Sequence, residues 1–159
     1  MKKERKLQKF NMEEIRQAIL DTSAETSIYV ACDSKEKARE TFFVTVVVIH
    51  FDSCHGGRVF YDEYVEPRRL RMRDKLLAEV YKSTETALLI SDAVGERKLE
   101  VHLDLNPDPK EGSYIVHKEG LAYVKAYGFN AVAKYTSWAA YTCADHLAKM
   151  GAKRRGKRK

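Results

Sequence analysis

The sequence predicts an α/β domain, a mixed five-stranded sheet flanked by helices, with elements in the order β-β-β-α-β-α-β-α. Two observations predict it. Extended patterns follow one another three times before any long helical pattern, and the second of them, Thr41–His50, is almost wholly apolar and β-branched. Such a run marks a strand buried on both faces. From residue 69 onward, helical and extended patterns alternate, which implies parallel strands added by right-handed crossovers.

Each element has its own signal. Met12, Ile15, Ala18 and Ile19 recur at helical spacing, so Met12–Leu20 reads as a short amphipathic helix. Residues 28–33, Ile-Tyr-Val-Ala-Cys-Asp, form the first strand. His55-Gly56-Gly57 makes a turn after the second strand, and Arg58–Glu66 alternates as a third that Pro67 ends. Residues 69–93 form the longest helical pattern, with Leu76, Leu77, Val80, Tyr81, Thr84, Ala87 and Leu88 on one stripe and Gly95 as its C-cap. Leu99–Leu105 is the fourth strand, and Asn106-Pro107-Asp108-Pro109 makes a loop at its end. Ser113–Tyr127 is helical, Phe129–Tyr135 is a short fifth strand, and Thr136–Met150 is an alanine-rich last helix.

At 159 residues, with 44% hydrophobic and 33% charged side chains, the chain is expected to hold one domain with its own core. That domain is expected at 27–150, after a basic N-terminal segment with a short helix at 1–26 and before a basic disordered tail at 151–159. No apolar run has the ~18 residues of a membrane helix, and no apolar signal core follows the charged N-terminus. Cys32, Cys54 and Cys143 are odd in number and form no CxxC. That argues against a zinc knuckle and for a cytoplasmic chain with reduced thiols.

The net charge of +6 is unevenly spread. Residues 1–10 carry five basic side chains and one acidic, residues 149–159 carry seven basic and none acidic, and the body between them is net −5. An acidic body suits carboxylates gathered around a cation. Basic ends suit a polyanion such as RNA or DNA, so Lys153, Arg154, Arg155, Lys157, Arg158 and Lys159 are candidate nucleic-acid contacts. The plainer reading of the tail is a solubilising end.

Four acids stand out by position. Asp33 closes the first apolar run, Asp104 sits in the fourth strand, Glu79 lies on the long helix and Asp145 on the last. On the fourth strand, His102, Asp104 and Asn106 point to one face while Val101, Leu103 and Leu105 point to the other. A His, an Asp and an Asn on a buried face need partners or a metal.

The runs Tyr29-Val30-Ala31-Cys32-Asp33-Ser34, His102-Leu103-Asp104-Leu105-Asn106-Pro107-Asp108 and Ala144-Asp145-His146-Leu147 resemble the YkuK-like branch of the ribonuclease H-like superfamily. So does the helix Arg73–Val80, with Ser83 and Glu85 after it. The resemblance covers residues 27–149, and the His102–Asp108 run is its most specific part. The chain departs from it at Ala31-Cys32, where Gly-Thr is common, and at Tyr135, where Pro is usual. The resemblance implies a ribonuclease H-like fold, with Asp33, Glu79, Asp104 and Asp145 as the catalytic metal ligands.

Each assignment has a competitor. Asp33 could cap a turn with Ser34, Asp104 could belong to a hydrogen-bonded polar patch, and Asp145 could face solvent. Glu79 flanks the apolar stripe on one side and Glu85 on the other, so Glu85 is the substitute and a solvated face the plainer reading for either. Ser34, His102, Asn106, Asp108 and Lys134 are candidates for supporting the ligands or touching substrate.

Carboxylate ligands suit two Mg²⁺ or Mn²⁺ ions rather than zinc, and paired cations drive phosphodiester hydrolysis in RNA, RNA–DNA hybrid or DNA. The competing expectation is a non-catalytic RNA- or DNA-binding module with the same fold. A third, a metal-dependent phosphatase or nucleotide-processing enzyme, has no GxxxxGK[ST] or GxGxxG motif to support NTP chemistry.

Overall fold

The structure, a computed structural model, describes residues 6–53, 55–105, 108, 110, 112, 114–133 and 139–156. Its elements are β1 (Lys6–Lys9), α1 (Met12–Leu20), β2 (Ser27–Lys37), β3 (Glu40–His50), β4 (Gly57–Glu66), α2 (Met72–Val94), β5 (Lys98–His102), α3 (Tyr114–Ala126), β6 (Asn130–Val132) and α4 (Ala139–Gly156). Among the described residues the sheet has six strands in the order β1-β4-β3-β2-β5-β6. The meander β2-β3-β4 is antiparallel, and β5 and β6 join it in parallel, as the alternation of patterns implies.

The sixth strand is an addition to the expected five. β1 pairs in parallel with β4, from Lys6 opposite Arg58 to Lys9 opposite Tyr61. Its sequence, Lys-Leu-Gln-Lys, has a single apolar residue, so no hydrophobic period announces it. What makes it a strand is the open edge of β4, whose backbone groups it satisfies. Asn11 then caps α1, its side chain accepting the Glu14 amide at 3.1 Å.

The two faces of the sheet are covered differently. On one, Ile15 and Ile19 of α1, Leu76, Val80 and Ile90 of α2, and Val116 and Val124 of α3 pack on Ile28, Val30, Val47, Ile49, Phe60 and Val101. On the other, Ala144, Leu147 and Ala148 of α4 pack on Tyr29, Ala31, Val44, Val46 and Val48. Nearly every residue of β3 is buried, as its unbroken apolar sequence requires. α4 comes close enough that a Cβ on Gly151 would sit 2.1 Å from the Phe42 ring, so small residues on its inner side set its distance.

Several boundaries differ from the sequence reading. β2 runs four residues past Asp33, because Lys35-Glu36-Lys37 pairs with Phe42-Thr41-Glu40 in the hairpin that closes it. A polar hairpin arm has no apolar period to reveal it. β5 stops at His102, opposite Ala31, so Leu103–Leu105 lies beyond the ladder. α4 continues to Gly156, so residues 151–156 are helical where a disordered tail was expected. Tyr81 and Leu88, expected on the buried stripe of α2, are exposed, and Glu79, Ser83 and Thr86 are buried in their place. Helix α2 is packed by the sheet on one side and by α1 and α3 on others, which one apolar stripe does not describe.

Candidate active site

β2 and β5 run side by side from Ser27–Lys98 to Ala31–His102 and then part. The site lies in the notch beyond that last pair. Carried two residues further, the same register sets Asp33 opposite Asp104. Asp33 is on the sheet face of Tyr29 and Ala31, by the alternation of side chains along β2, and Asp104 lies two residues past the last pair of β5. Asp33 is nearly fully buried and Asp104 half-buried. Asp33 sits inside β2 rather than at its end, and it is the β5 ladder that ends before reaching it.

Glu79 reaches the notch from α2. It is 5% exposed, and its Oε1 accepts a hydrogen bond of 2.5 Å from the Ser34 hydroxyl. Burial holds its carboxyl well above the usual carboxylate range. The charge of Asp33 pushes the same way, as does that of Asp104, while the Ser34 hydrogen bond and the Lys75 ammonium pull it down. Glu79 thus feels the charge of both aspartates. Glu85, the substitute, is exposed, so burial distinguishes two glutamates that the helical wheel left level.

Lysines border the acids. The Lys35 ammonium is 3.7 Å from Asp33 Oδ2, and Lys75 is 3.7 Å from Glu36. Lys82, on α2 three residues after Glu79, lies 3.9 Å over the Tyr64 ring, a cation–π contact. The Cys32 thiol faces α2 between Thr45 and Glu79, and burial first, then Glu79, raises its pKa. It stays a protonated thiol and no nucleophile.

His102 is buried, and its partner is Glu100, with Nε2 and Oε2 3.6 Å apart. Its ring lies 4.9 Å from that of Tyr29. Burial lowers its pKa against the opposing pull of Glu100, so the neutral imidazole is favoured. Its Nδ1 is buried with no hydrogen-bond partner among the described residues. Asp108 is exposed, and its carboxylate accepts the Lys110 amide at 3.0 Å in a turn.

Asp145 lies on α4 next to Ala144, which packs on the Asp33 face of the sheet; its side chain is outside the described residues. Asn106, Lys134, Lys157, Arg158 and Lys159 are outside them altogether, as is the Arg155 side chain. Lys153 is exposed on the last turns of α4, and Arg154 there pairs with Glu63 of β4 at 2.9 Å. Sequence reasoning missed Lys35, Lys75 and Glu100. Their signal was available in strand and helix spacing: Lys35 is two residues from Asp33, and Lys75 is one turn before Glu79.

The family model described as Ribonuclease H-like matches residues 11–149. The chain belongs to the ribonuclease H-like family. No curated protein and no solved structure matches it. The mixed sheet with helices on both faces is that of a ribonuclease H-like protein, and the matched span takes in all the strands except β1.

In this ribonuclease H-like chain the oxygen donors at the notch are carboxylates crowded enough to oppose Glu79's ionisation. That donor chemistry fits a hard divalent cation, which would relieve the repulsion. Among the described residues, no three His, Cys, Asp or Glu side chains form a ready metal cage. No helix among them is long and apolar enough to cross a membrane.

Proposed function

We propose that this ribonuclease H-like protein is a metal-dependent nuclease that hydrolyses phosphodiester bonds in RNA, RNA–DNA hybrid or DNA. The observation that carries the proposal is the buried Glu79, whose carboxyl is held up by burial and by the charges of Asp33 and Asp104. A divalent cation that displaced the Glu79 proton would offset the repulsion among these carboxylates. Asp33, Glu79, Asp104 and Asp145 would hold two Mg²⁺ or Mn²⁺ ions. When bound, such ions supply an activated water and neutralise charge on the leaving oxygen. Ser34 orients Glu79 through its hydroxyl. The run His102-Leu103-Asp104-Leu105-Asn106-Pro107-Asp108 supports placing the chain in the YkuK-like branch. Three widely spaced cysteines, odd in number and without a CxxC, support a reducing, cytoplasmic setting.

A second reading, a nucleic-acid-binding module without catalysis, is favoured by Lys35. Its ammonium stands 3.7 Å from Asp33 and already partly neutralises a ligand the cations would need.

The test is cleavage of labelled single-stranded RNA, RNA–DNA hybrid and duplex DNA in Mg²⁺ and in Mn²⁺, beside Asp104→Asn. Cleavage lost in the variant supports the nuclease. Tight binding with no cleavage of any substrate moves the assignment to the binding module.

A further inference from the structure

We propose that the segment Glu66–Lys75, together with the tip of the β2–β3 hairpin, is a nucleic-acid interface that grips the phosphate backbone of the strand presented to the notch. The inference rests on the reading that the notch acts on nucleic acid, and it assigns the surface that delivers the strand.

The charge pattern is local. Residues 66–75 carry Arg68, Arg69, Arg71, Arg73 and Lys75 against Glu66 and Asp74, and residues 35–40 carry Lys35, Lys37 and Arg39 against Glu36 and Glu40. The body of the chain is net −5, so eight basic side chains against four acidic in these two stretches is a reversal of its surroundings. Three of the eight, Arg68, Arg69 and Arg71, are arginines of the connection between β4 and α2, and Arg73 follows in the first turn of α2, where it pairs with Glu119 at 2.7 Å; the guanidinium fork matches a phosphate in two parallel hydrogen bonds.

The connection is held in place. The Thr41 hydroxyl, fully buried, donates to the Arg68 carbonyl at 3.0 Å and accepts the Leu70 amide at 3.1 Å. The side chains it presents remain in solvent: those of Arg68 and Arg69 are 75% and 69% exposed. Arg68 and Arg69 each touch one carboxylate, Glu66 and Glu36, and Arg71 has no ion pair among the described residues. Exposed pairs of this kind are worth about 0–1 kcal/mol, so a phosphate can replace them at little cost.

The segment also borders the notch on two sides. Arg69 and Lys75 meet at Glu36, three residues beyond Asp33 on β2 and about 10 Å along the strand. Lys75 is one helical turn before Glu79, about 6 Å along α2. The end of α4 reaches the same region, with Gly151 against Phe42 and Arg154 against Glu63. Two basic stretches far apart in the chain thus converge at the sheet end that holds the acids.

The experiment uses the full chain and labelled single-stranded RNA, hybrid and duplex DNA. Binding is followed by fluorescence anisotropy across a salt series for wild type, Arg68→Gln/Arg71→Gln and Arg68→Lys/Arg71→Lys. Thermal midpoints check that each variant folds. The glutamine pair should weaken binding and reduce the magnitude of the slope of log K against log salt by roughly 1.4–1.8. The lysine pair should keep most of the slope. Wild-type affinity and slope in the glutamine pair overturn the interface, as does a wild-type chain that binds anionic vesicles but no nucleic acid. Loss of slope in the lysine pair to the same extent also overturns it. If the glutamine pair weakens binding and wild type cleaves nothing, the interface stands and the nuclease falls. If wild type cleaves and the glutamine pair cleaves with the same KM, the nuclease stands and the interface falls.

Discussion

The Ser34 hydroxyl on β2 donates a hydrogen bond to the Glu79 carboxylate on α2, joining the central sheet to its longest helix at the edge of the acidic notch. Both residues are buried. Ser34→Ala should cost about 1–3 kcal/mol in chemical denaturation, since it leaves a buried acceptor without its donor. It should also raise the Glu79 carboxyl further, because that bond favours the charged form. Stability within 0.5 kcal/mol of wild type (about the scatter of surface substitutions) would mean that the bond does not form in solution.

Glu79 gives the fold a pH dependence whose sign follows from its cause. Its folded pKa is raised, by burial first and by Asp33 next. The folded chain therefore keeps a proton that the unfolded chain releases. The linked stability is full below the ordinary carboxylate value and is lost as pH rises through the raised one. In chelator, denaturation midpoints from about pH 4 to 8 should fall more steeply for wild type than for Glu79→Gln. Parallel curves would remove Glu79 as the source.

Asp33→Asn has two expected readouts. It removes a charge that raises the Glu79 carboxyl, so the pH window in which wild type loses stability should move down. It also removes a proposed metal ligand, so Mg²⁺- or Mn²⁺-dependent cleavage should be abolished with the circular dichroism unchanged. Full cleavage by the variant would end the two-metal assignment, whatever the stability curve does.

Gly151→Ala tests how α4 is seated. The added methyl would meet Phe42 ring atoms at 2.1 and 2.4 Å. Overpacking costs about 1–3 kcal/mol and outweighs the roughly 1 kcal/mol that alanine gains over glycine in a helix. Shortening the ring with Phe42→Leu should relieve part of that loss, so the two substitutions should be non-additive in a double-mutant cycle. Strict additivity would place the helix elsewhere.

The order of elements was legible because each carries its own period. Met12–Leu20 forms the helix its spacing predicts, and Gly95, at φ +56°, ends α2 where the pattern placed its cap. Val101 and Leu103 enter the main core as their alternation predicts, and the His102 ring lies on the other face, against Tyr29. The sequence by itself thus determined the class of fold and which acids lie on its central elements.

Tertiary structure decided what a one-dimensional pattern cannot carry. β1 has no apolar period and exists because β4 offers it an edge. The polar arm of β2 is extended because the hairpin pairs it. Glu79 is chosen over Glu85 by burial, and burial is set by the sheet and two other helices packing on α2 rather than by its own stripe. Where β2 and β5 part depends on where a ladder ends, and with α2 packed beside that end Glu79 feels the charges of both Asp33 and Asp104. Local sequence fixes a residue's element and its face, but the field at its carboxylate is the sum over neighbours that are distant in the chain.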